Sequence, residues 1–275
     1  CYTDDIFEEI EKRYGYDMRG MLPELFYKFD GEMTAKIKHD YIDVADNLFV
    51  ERFAKPINDW CKKNNIEFTG HVLHENSLVN QTVPHGSLMR FYEHMGVPGI
   101  DLLTEWDNSY WVAKQISSVA RQSGQKWILS ELYGCTGWQF NFRSHKAVGD
   151  WQALFGINVR CPHLSWYTME GESKRDYPAS ILHQSAWYKD YNYVETYFAR
   201  FGEVMAEGRP VCEVLVLNPI ESAWIQCYAG WANWIVNASP ETAVLEEHYS
   251  RLFGYLSGRH IDFDYGEEFL MAEHG

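Results

Sequence analysis

The stretch that decides the fold is residues 126–134, which read KWILSELYG. A short apolar run ends on Glu131, and a glycine three residues later breaks the pattern, as at the end of a buried strand. A second segment of the same kind, residues 156–160 (GINVR), comes next and leads into His163. The residues between the two segments have room for one helix. The pair therefore predicts a βαβ unit with parallel strands.

The same alternation extends toward the N-terminus. Strands are predicted at residues 66–72, 98–104, 126–130 and 156–161, separated by amphipathic helices, and each strand ends in polar or acidic residues. Strand and helix in regular alternation predict an α/β fold with the helices outside the sheet. Four such units make up the C-terminal half of a (β/α)8 TIM barrel, which we assign to residues 1–209.

A second α/β domain is predicted to begin after the barrel, over residues 210–275. Residues 211–217 form a buried-type strand, residues 260–265 form another, and a helix over 240–257 separates them. Ser239 precedes this helix as an N-cap, and Pro240 occupies its first position. The chain begins at Cys1 without a methionine, so we expect a fragment of a longer protein.

The composition indicates which kinds of molecule the protein is expected to bind. The net charge is −15 and the pI is near 5.1, which argues against nucleic acid and against anionic membrane surfaces. No apolar run approaches the length of a membrane span. Aromatic residues make up 16% of the chain, with 11 Trp and 18 Tyr, and rings with polar edges suit pockets for sugars. An oligosaccharide or glycoside is therefore the expected substrate.

Acidic residues follow three of the predicted strands, at Glu75, Glu105 and Glu131. Hydrolysis of a glycosidic bond commonly needs two carboxyl groups, one as acid and the other as nucleophile or base. Each of these acids could instead cap a neighbouring helix or lie in solvent. We predict Glu131 and Glu75 as the catalytic pair, because Glu131 lies among aromatic residues and Glu75 lies among histidines.

The remaining predicted site residues would contact the sugar through ring stacking or hydrogen bonds. The alternative for the aromatic residues is packing in the core, and for the charged residues it is a solvated loop. The predicted substrate-binding residues are His71, His74, Glu105, Trp106, Asn108, Tyr133, Trp138, His163, Trp166 and Arg175.

A metal site can be sought among His71, His74 and Glu75. A strand directs His71 and His74 to opposite faces, and the sequence has no H-E-x-x-H motif, so a zinc site built from these residues is not expected. No cofactor is required for the predicted chemistry. Calcium held by carboxylates and sugar hydroxyls stays open, with its ligands unknown.

Several segments resemble barrel glycoside hydrolases. They include residues 1–4, 13–17 and 68–71, together with EWDNSY at 105–110, LSELYG at 129–134, and residues 166–178 and 214–224. Two groups are similar: bacterial β-galactosidases whose barrel precedes a flavodoxin-like trimerisation domain, and calcium-dependent α-L-rhamnosidases with their uncharacterised relatives. Residues 105–110 resemble the end of the sixth strand, residues 129–134 that of the seventh, and residues 166–178 that of the eighth.

The resemblance implies roles that the residues alone do not. Glu131 would be the nucleophile, and the acid/base glutamate of the fourth strand would lie upstream of residue 1. Glu75 would end the fifth strand as a substrate or metal contact. In a rhamnosidase-like inverting reaction, Glu75 or Glu131 would instead be the general base. A trimerisation-type domain over residues 210–275 implies that the chain can form a homo-oligomer.

Three hypotheses follow. The first is a glycoside hydrolase that removes a terminal sugar, with Glu131 as nucleophile or base. The second is a carbohydrate-binding barrel without catalysis, which needs the aromatic residues but no pair of acids. The third is a metal-dependent hydrolase or isomerase on the same barrel.

Overall fold

A computed structural model of the chain describes residues 2–27, 32–174, 177, 179–227 and 239–274. In chain order the elements are α1 (Ile6–Tyr14), α2 (Pro23–Phe26), α3 (Glu32–Phe49), α4 (Lys55–Lys63), β1 (Thr69–Gly70), α5 (Leu78–His85), α6 (Leu88–Glu93), β2 (Val97–Asp101), α7 (Tyr110–Ser123), β3 (Leu129–Leu132), α8 (Phe142–Leu154), β4 (Val159–Pro162), α9 (Asn192–Ala206), β5 (Leu215–Leu217), α10 (Ile220–Gln226), α11 (Pro240–Ser257), β6 (Asp264–Gly266) and α12 (Glu268–His274).

These elements form two compact units, each assembled from separate parts of the chain. Unit 1 comprises residues 1–68, 72–95 and 212–275, and unit 2 comprises residues 69–71 and 96–211. The domain boundary near residue 210, the flavodoxin-like assignment and the homo-oligomer stay predictions. None of the helices in the described ranges combines the length and apolar character that a membrane span requires.

Unit 2 contains a sheet of four parallel strands in the order β1, β2, β3, β4. Helices α7 and α8 connect β2 to β3 and β3 to β4, as predicted for consecutive βαβ units. The register pairs Asp101 of β2 with Glu131 of β3, and Glu131 with Cys161 of β4. The carboxyl ends of all four strands therefore meet at one edge of the sheet, which is where barrel enzymes place their active sites.

The strands are shorter than the sequence pattern predicts, and β1, with 2 residues against the predicted range 66–72, differs most. The end of β2 shows the reason. We predicted a strand over residues 98–104, whereas β2 ends at Asp101. Leu102 and Leu103 continue the apolar run but lie outside the ladder: the side chain of Leu102 is buried, and the carbonyl of Leu103 accepts a hydrogen bond from Tyr133 N at 2.7 Å. Apolar character marks burial rather than strand pairing, so it overestimates the length of a strand.

Helices α8 and α9 pack closely in unit 2, and a glycine makes this possible. A Cβ added to Gly149 would lie 2.2 Å from Cζ of Phe198, so the ring of Phe198 occupies the space that a side chain would need. A Cβ added to Gly202, on α9, would meet no atom within 4 Å.

These two glycines provide a matched test of the contact. Gly149→Ala is expected to lower the free energy of unfolding by about 1–3 kcal/mol, because the aromatic ring must shift. Gly202→Ala is expected to raise it by about 0.5–1 kcal/mol, because alanine costs less backbone entropy in a helix. Urea denaturation measures both changes. Equal effects of the two substitutions would contradict the close contact between Gly149 and the ring of Phe198.

Unit 1 has a hydrophobic core between α1 and α3, built around Ile6, Ile10, Ile37 and Val44. Its second sheet is a parallel pair, β5 with β6. Helix α11 begins as predicted, because Ser239 accepts a hydrogen bond from the backbone of Thr242 at 3.1 Å.

A buried arginine also holds unit 1 together. Arg90 is 2% exposed and donates to Glu267 at 2.8 Å, to Asp43 at 3.0 Å and to Glu221 at 2.6 Å. Its guanidinium also lies 4.2 Å from the ring centre of Phe269 and 4.9 Å from that of Trp224. One side chain thus connects α3 and α6 with α10 and the β6–α12 segment.

Candidate active site

The candidate site lies at the carboxyl edge of the four-stranded sheet in unit 2. Each strand contributes one ionisable side chain there: His71 follows β1, Asp101 ends β2, Glu131 is in β3 and His163 follows β4. All four side chains are partly exposed, with Glu131 25% exposed and His163 11% exposed. Parallel register brings together residues that are far apart in the sequence.

Glu131 is the centre of this group. His71 Nε2 donates a hydrogen bond to Glu131 Oε2 at 2.7 Å, and His163 Nε2 lies 3.6 Å from Glu131 Oε1. His71 Nδ1 lies 4.0 Å from Asp101 Oδ2. Burial raises the pKa of Asp101; His71 opposes this rise and Glu131 adds to it. Two imidazoles therefore flank one carboxylate, and a second carboxylate lies behind one of them.

Asp101 was missed by the sequence analysis, which placed the acid of this strand at Glu105. In the structure Glu105, Trp106 and Asn108 are exposed in the loop after β2, and the side chain of Trp106 is 82% exposed. The sequence marks Asp101 only as an acid within an otherwise apolar run, and this feature does not by itself rank Asp101 above Glu105. The position of a strand end, rather than the order of acids along the chain, decides which carboxyl faces the site.

The backbone turns sharply after Glu131. Tyr133 and Cys135 have φ values of 73° and 58°, in the left-handed region that few side chains adopt. Between them, a Cβ on Gly134 would lie 2.9 Å from Cδ2 of His163 and 3.0 Å from the carbonyl oxygen of Tyr177. This turn lets His163 pack close to the chain beside Glu131, and strained backbone of this kind is frequent at functional sites.

The predicted aromatic residues divide into a core group and a surface group. Tyr133 is fully buried and donates from its hydroxyl to the carbonyl of His145 at 3.1 Å, so it supports the site from within. Trp138 and Trp166 stack with ring centres 4.9 Å apart and an interplanar angle of 20°. Trp138 is 42% exposed, and the buried Nε1 of Trp166 has no partner in the described part of the chain.

His74 and Glu75 belong to unit 1. His74 is exposed, with φ of 59°. Glu75 is 3% exposed; it accepts a hydrogen bond from the hydroxyl of Tyr92, and its carbonyl oxygen accepts one from Gln81 Nε2 at 2.6 Å. The catalytic role assigned to Glu75 stays a prediction. Arg175 lies outside the described residues.

His145 supports the candidate site from the core of unit 2. Its side chain lies among the rings of Tyr133, Phe140 and Trp187, at centroid distances of 4.6, 4.3 and 5.2 Å. Burial lowers the pKa of His145 to about 4, below its ordinary value of 6.5. His145 is therefore neutral in the folded protein, whereas the unfolded chain takes up its proton near pH 6.5.

This difference predicts a fall in stability with acid. Above pH 6.5 neither state binds the proton; between pH 6.5 and about 4 only the unfolded state does, so the free energy of unfolding decreases. We expect His145→Phe to remove on the order of 2 kcal/mol of this decrease. Urea denaturation of the variant and of the unmodified protein at pH 7.5 and 4.5 measures this difference in the free energy of unfolding. The exposed His183, changed to Phe, is the control, and a pH dependence unchanged by His145→Phe would contradict the assignment.

Two solved structures are similar to this chain in fold. A rhamnosidase from Novosphingobium sp. PP1Y aligns with a TM-score of 0.59 and 20% identity, over 78% of this chain and 21% of its own. A catalytic mutant of a GH42 β-galactosidase from G. stearothermophilus aligns with a TM-score of 0.64 and 14% identity, over 100% of this chain and 44% of its own. The chain shares its fold with glycoside hydrolases.

The predicted resemblance and fold class are thereby confirmed: the fold is mixed α/β with parallel strands, and the similar structures are barrel glycoside hydrolases. The chain spans less than half the length of either similar structure. No protein-family model matches the chain, and no curated protein matches it by sequence.

Proposed function

We propose that this chain carries part of the active site of a glycoside hydrolase that removes a terminal sugar, with Glu131 as nucleophile or base. The observation that carries the proposal is the position of Glu131 at the carboxyl edge of the sheet, flanked by His71 and His163. The fold shared with two glycoside hydrolases supports the same class of reaction. In this class the carboxylate attacks the anomeric carbon or activates a water molecule.

The hydrogen bond from His71 gives Glu131 a defined orientation. One oxygen, Oε2, accepts from the imidazole of His71 at 2.7 Å. The other oxygen, Oε1, lies 3.6 Å from His163 Nε2, beyond hydrogen-bond distance, and is the oxygen we assign to the substrate or to a water molecule. A hydrogen bond of this length fixes the orientation of the carboxyl group at the end of the strand. An ionised carboxylate is what both the nucleophile and the general base require.

The stacked pair Trp138 and Trp166 is proposed as a sugar-binding surface. One face of Trp138 is covered by Trp166, and its partial exposure leaves the other side free to stack on a pyranose ring. The Nε1 of Trp166 is buried, so the exposed ring of Trp138 is the part of the pair that a sugar would contact.

The test is hydrolysis by the full-length protein. A panel of aryl glycosides that differ in sugar and anomer should contain at least one substrate, detected by release of the aryl group. The second hypothesis, a carbohydrate-binding barrel, predicts binding of a sugar by calorimetry with no turnover of any glycoside. Such a result would overturn the proposal.

A further inference from the structure

We propose that His71, Asp101 and Glu131 form a binding site for one divalent transition-metal cation. Each residue offers one donor atom, and these atoms all lie within 4.8 Å of one another. The three donors come from the ends of three neighbouring parallel strands, so the sheet itself fixes their spacing. No single segment of the sequence contains this set, and it differs from the set of His71, His74 and Glu75, from which the sequence predicts no zinc site.

The spacing fits a small cation. Ligand bonds to a tetrahedral ion of about 2.0–2.2 Å place two ligand atoms roughly 3.4 Å apart. The donor atoms of His71, Asp101 and Glu131 all lie within 4.8 Å of one another. The distance from His71 Nε2 to Glu131 Oε2 is 2.7 Å, the length of a hydrogen bond, so an ion bound there takes the place of the shared proton and widens this distance.

The donor types favour a transition metal over calcium or magnesium. Calcium and magnesium prefer oxygen ligands, whereas an imidazole nitrogen suits zinc, copper, iron or nickel. The carboxylates of Asp101 and Glu131 together supply the charge that neutralises a divalent ion. Because the side chains are only 70–75% covered, an ion held there keeps a position open for water or a sugar hydroxyl.

The inference rests on the same residue as the proposed function and makes a prediction about it. A cation bound to Glu131 draws negative charge from the carboxylate, which weakens the carboxylate as a nucleophile and as a base. Occupancy by the metal and glycoside turnover through Glu131 should therefore oppose each other. If activity instead requires the metal, the protein is the metal-dependent hydrolase or isomerase of the third hypothesis.

The experiment is a titration of the chelator-treated, full-length protein with Co²⁺, followed by visible absorption and by equilibrium dialysis. We expect one ion per chain and the absorption bands of a site with nitrogen and oxygen ligands. His71→Ala, Asp101→Asn and Glu131→Gln should each weaken binding by about tenfold or more. The exposed residues His183 and Glu203, changed to Ala and Gln, are matched controls and should bind cobalt as the unmodified protein does.

Two results would overturn the inference: no binding of cobalt, zinc or manganese, or binding that the three substitutions leave unchanged. Circular dichroism of each variant separates loss of the site from loss of the fold. Turnover of aryl glycosides is measured separately, with and without added metal. Glycosidase activity without metal binding would overturn the inference alone, whereas metal binding without any glycoside turnover would overturn the proposed function alone.

Discussion

Replacement of Glu131 by glutamine is expected to lower kcat/KM for an activated aryl glycoside by about 10²–10⁴-fold. The amide has nearly the shape of the carboxylate and can still accept from His71 Nε2, so the site keeps its form. It can neither attack the anomeric carbon nor take a proton from water. The measurement is the rate of release of the aryl group at saturating and subsaturating substrate.

The matched control is Glu203→Gln on the exposed side of α9, which should leave kcat/KM unchanged. Glu105→Gln provides a sharper comparison, because the sequence places Glu105 and Glu131 in equivalent positions at strand ends. In the structure Glu105 is exposed in the loop after β2, so its replacement should have a much smaller effect. Undiminished turnover by the Glu131 variant would remove Glu131 from the chemistry.

Replacement of Arg90 by methionine is expected to lower the free energy of unfolding of unit 1 by about 3–5 kcal/mol. The substitution keeps a long apolar side chain between Trp224 and Phe269 but removes every hydrogen bond of the guanidinium. Glu267, which is fully buried, then lacks its cationic partner. An uncompensated buried carboxylate is among the most destabilising changes that one substitution produces.

The control is Arg251→Met on α11, where the side chain is 73% exposed and forms an ion pair at 3.4 Å with Glu247. Such a surface pair contributes at most about 0.5 kcal/mol. Arg90→Lys should recover little, because one ammonium cannot replace a fork that donates hydrogen bonds to three carboxylates and lies 3.5 Å from a fourth, that of Asp46. Urea denaturation compares the variants. A loss of unfolding free energy in Arg90→Met no larger than that in the control would contradict the stabilising role of Arg90.

The destabilisation should also depend on pH, with a definite sign. Burial already raises the pKa of Asp46 and of Glu267, and in both cases Arg90 opposes the rise. Without Arg90 these groups bind protons more readily in the folded state than in the unfolded one. The free energy lost in Arg90→Met should therefore be smaller at pH 5 than at pH 8.

The kinds of element and their order could be predicted from the sequence, but their ends could not. Hydrophobic periodicity separated strands from helices throughout unit 2, because burial of one face is a local property of each segment. The strand predicted over residues 66–72 is only β1, Thr69–Gly70, because pairing with β2 stops there. The ends of a strand depend on the length of its neighbour, and a single segment does not contain that information.

The candidate site was likewise predictable from the sequence only in part. The pattern of KWILSELYG, in which an acid ends a buried strand, was sufficient to predict Glu131 as a site residue. Asp101 could not be chosen over Glu105, because the choice depends on the register between β2 and β3. The pairing of His71 with Glu131 depends likewise on the order of strands in the sheet, which joins residues separated by 60 positions.

The sequence by itself determined that this chain builds parallel βαβ units and that acids stand at their strand ends, since both follow from local patterns of apolar and polar side chains. Only the tertiary structure decided which of these acids share a site. It brought His71, Asp101, Glu131 and His163 to one edge and left Glu105 and Trp106 in solvent. The reason is geometric: the parallel ladder sets which residues are neighbours, and the register of the ladder depends on backbone hydrogen bonds between segments far apart in the chain.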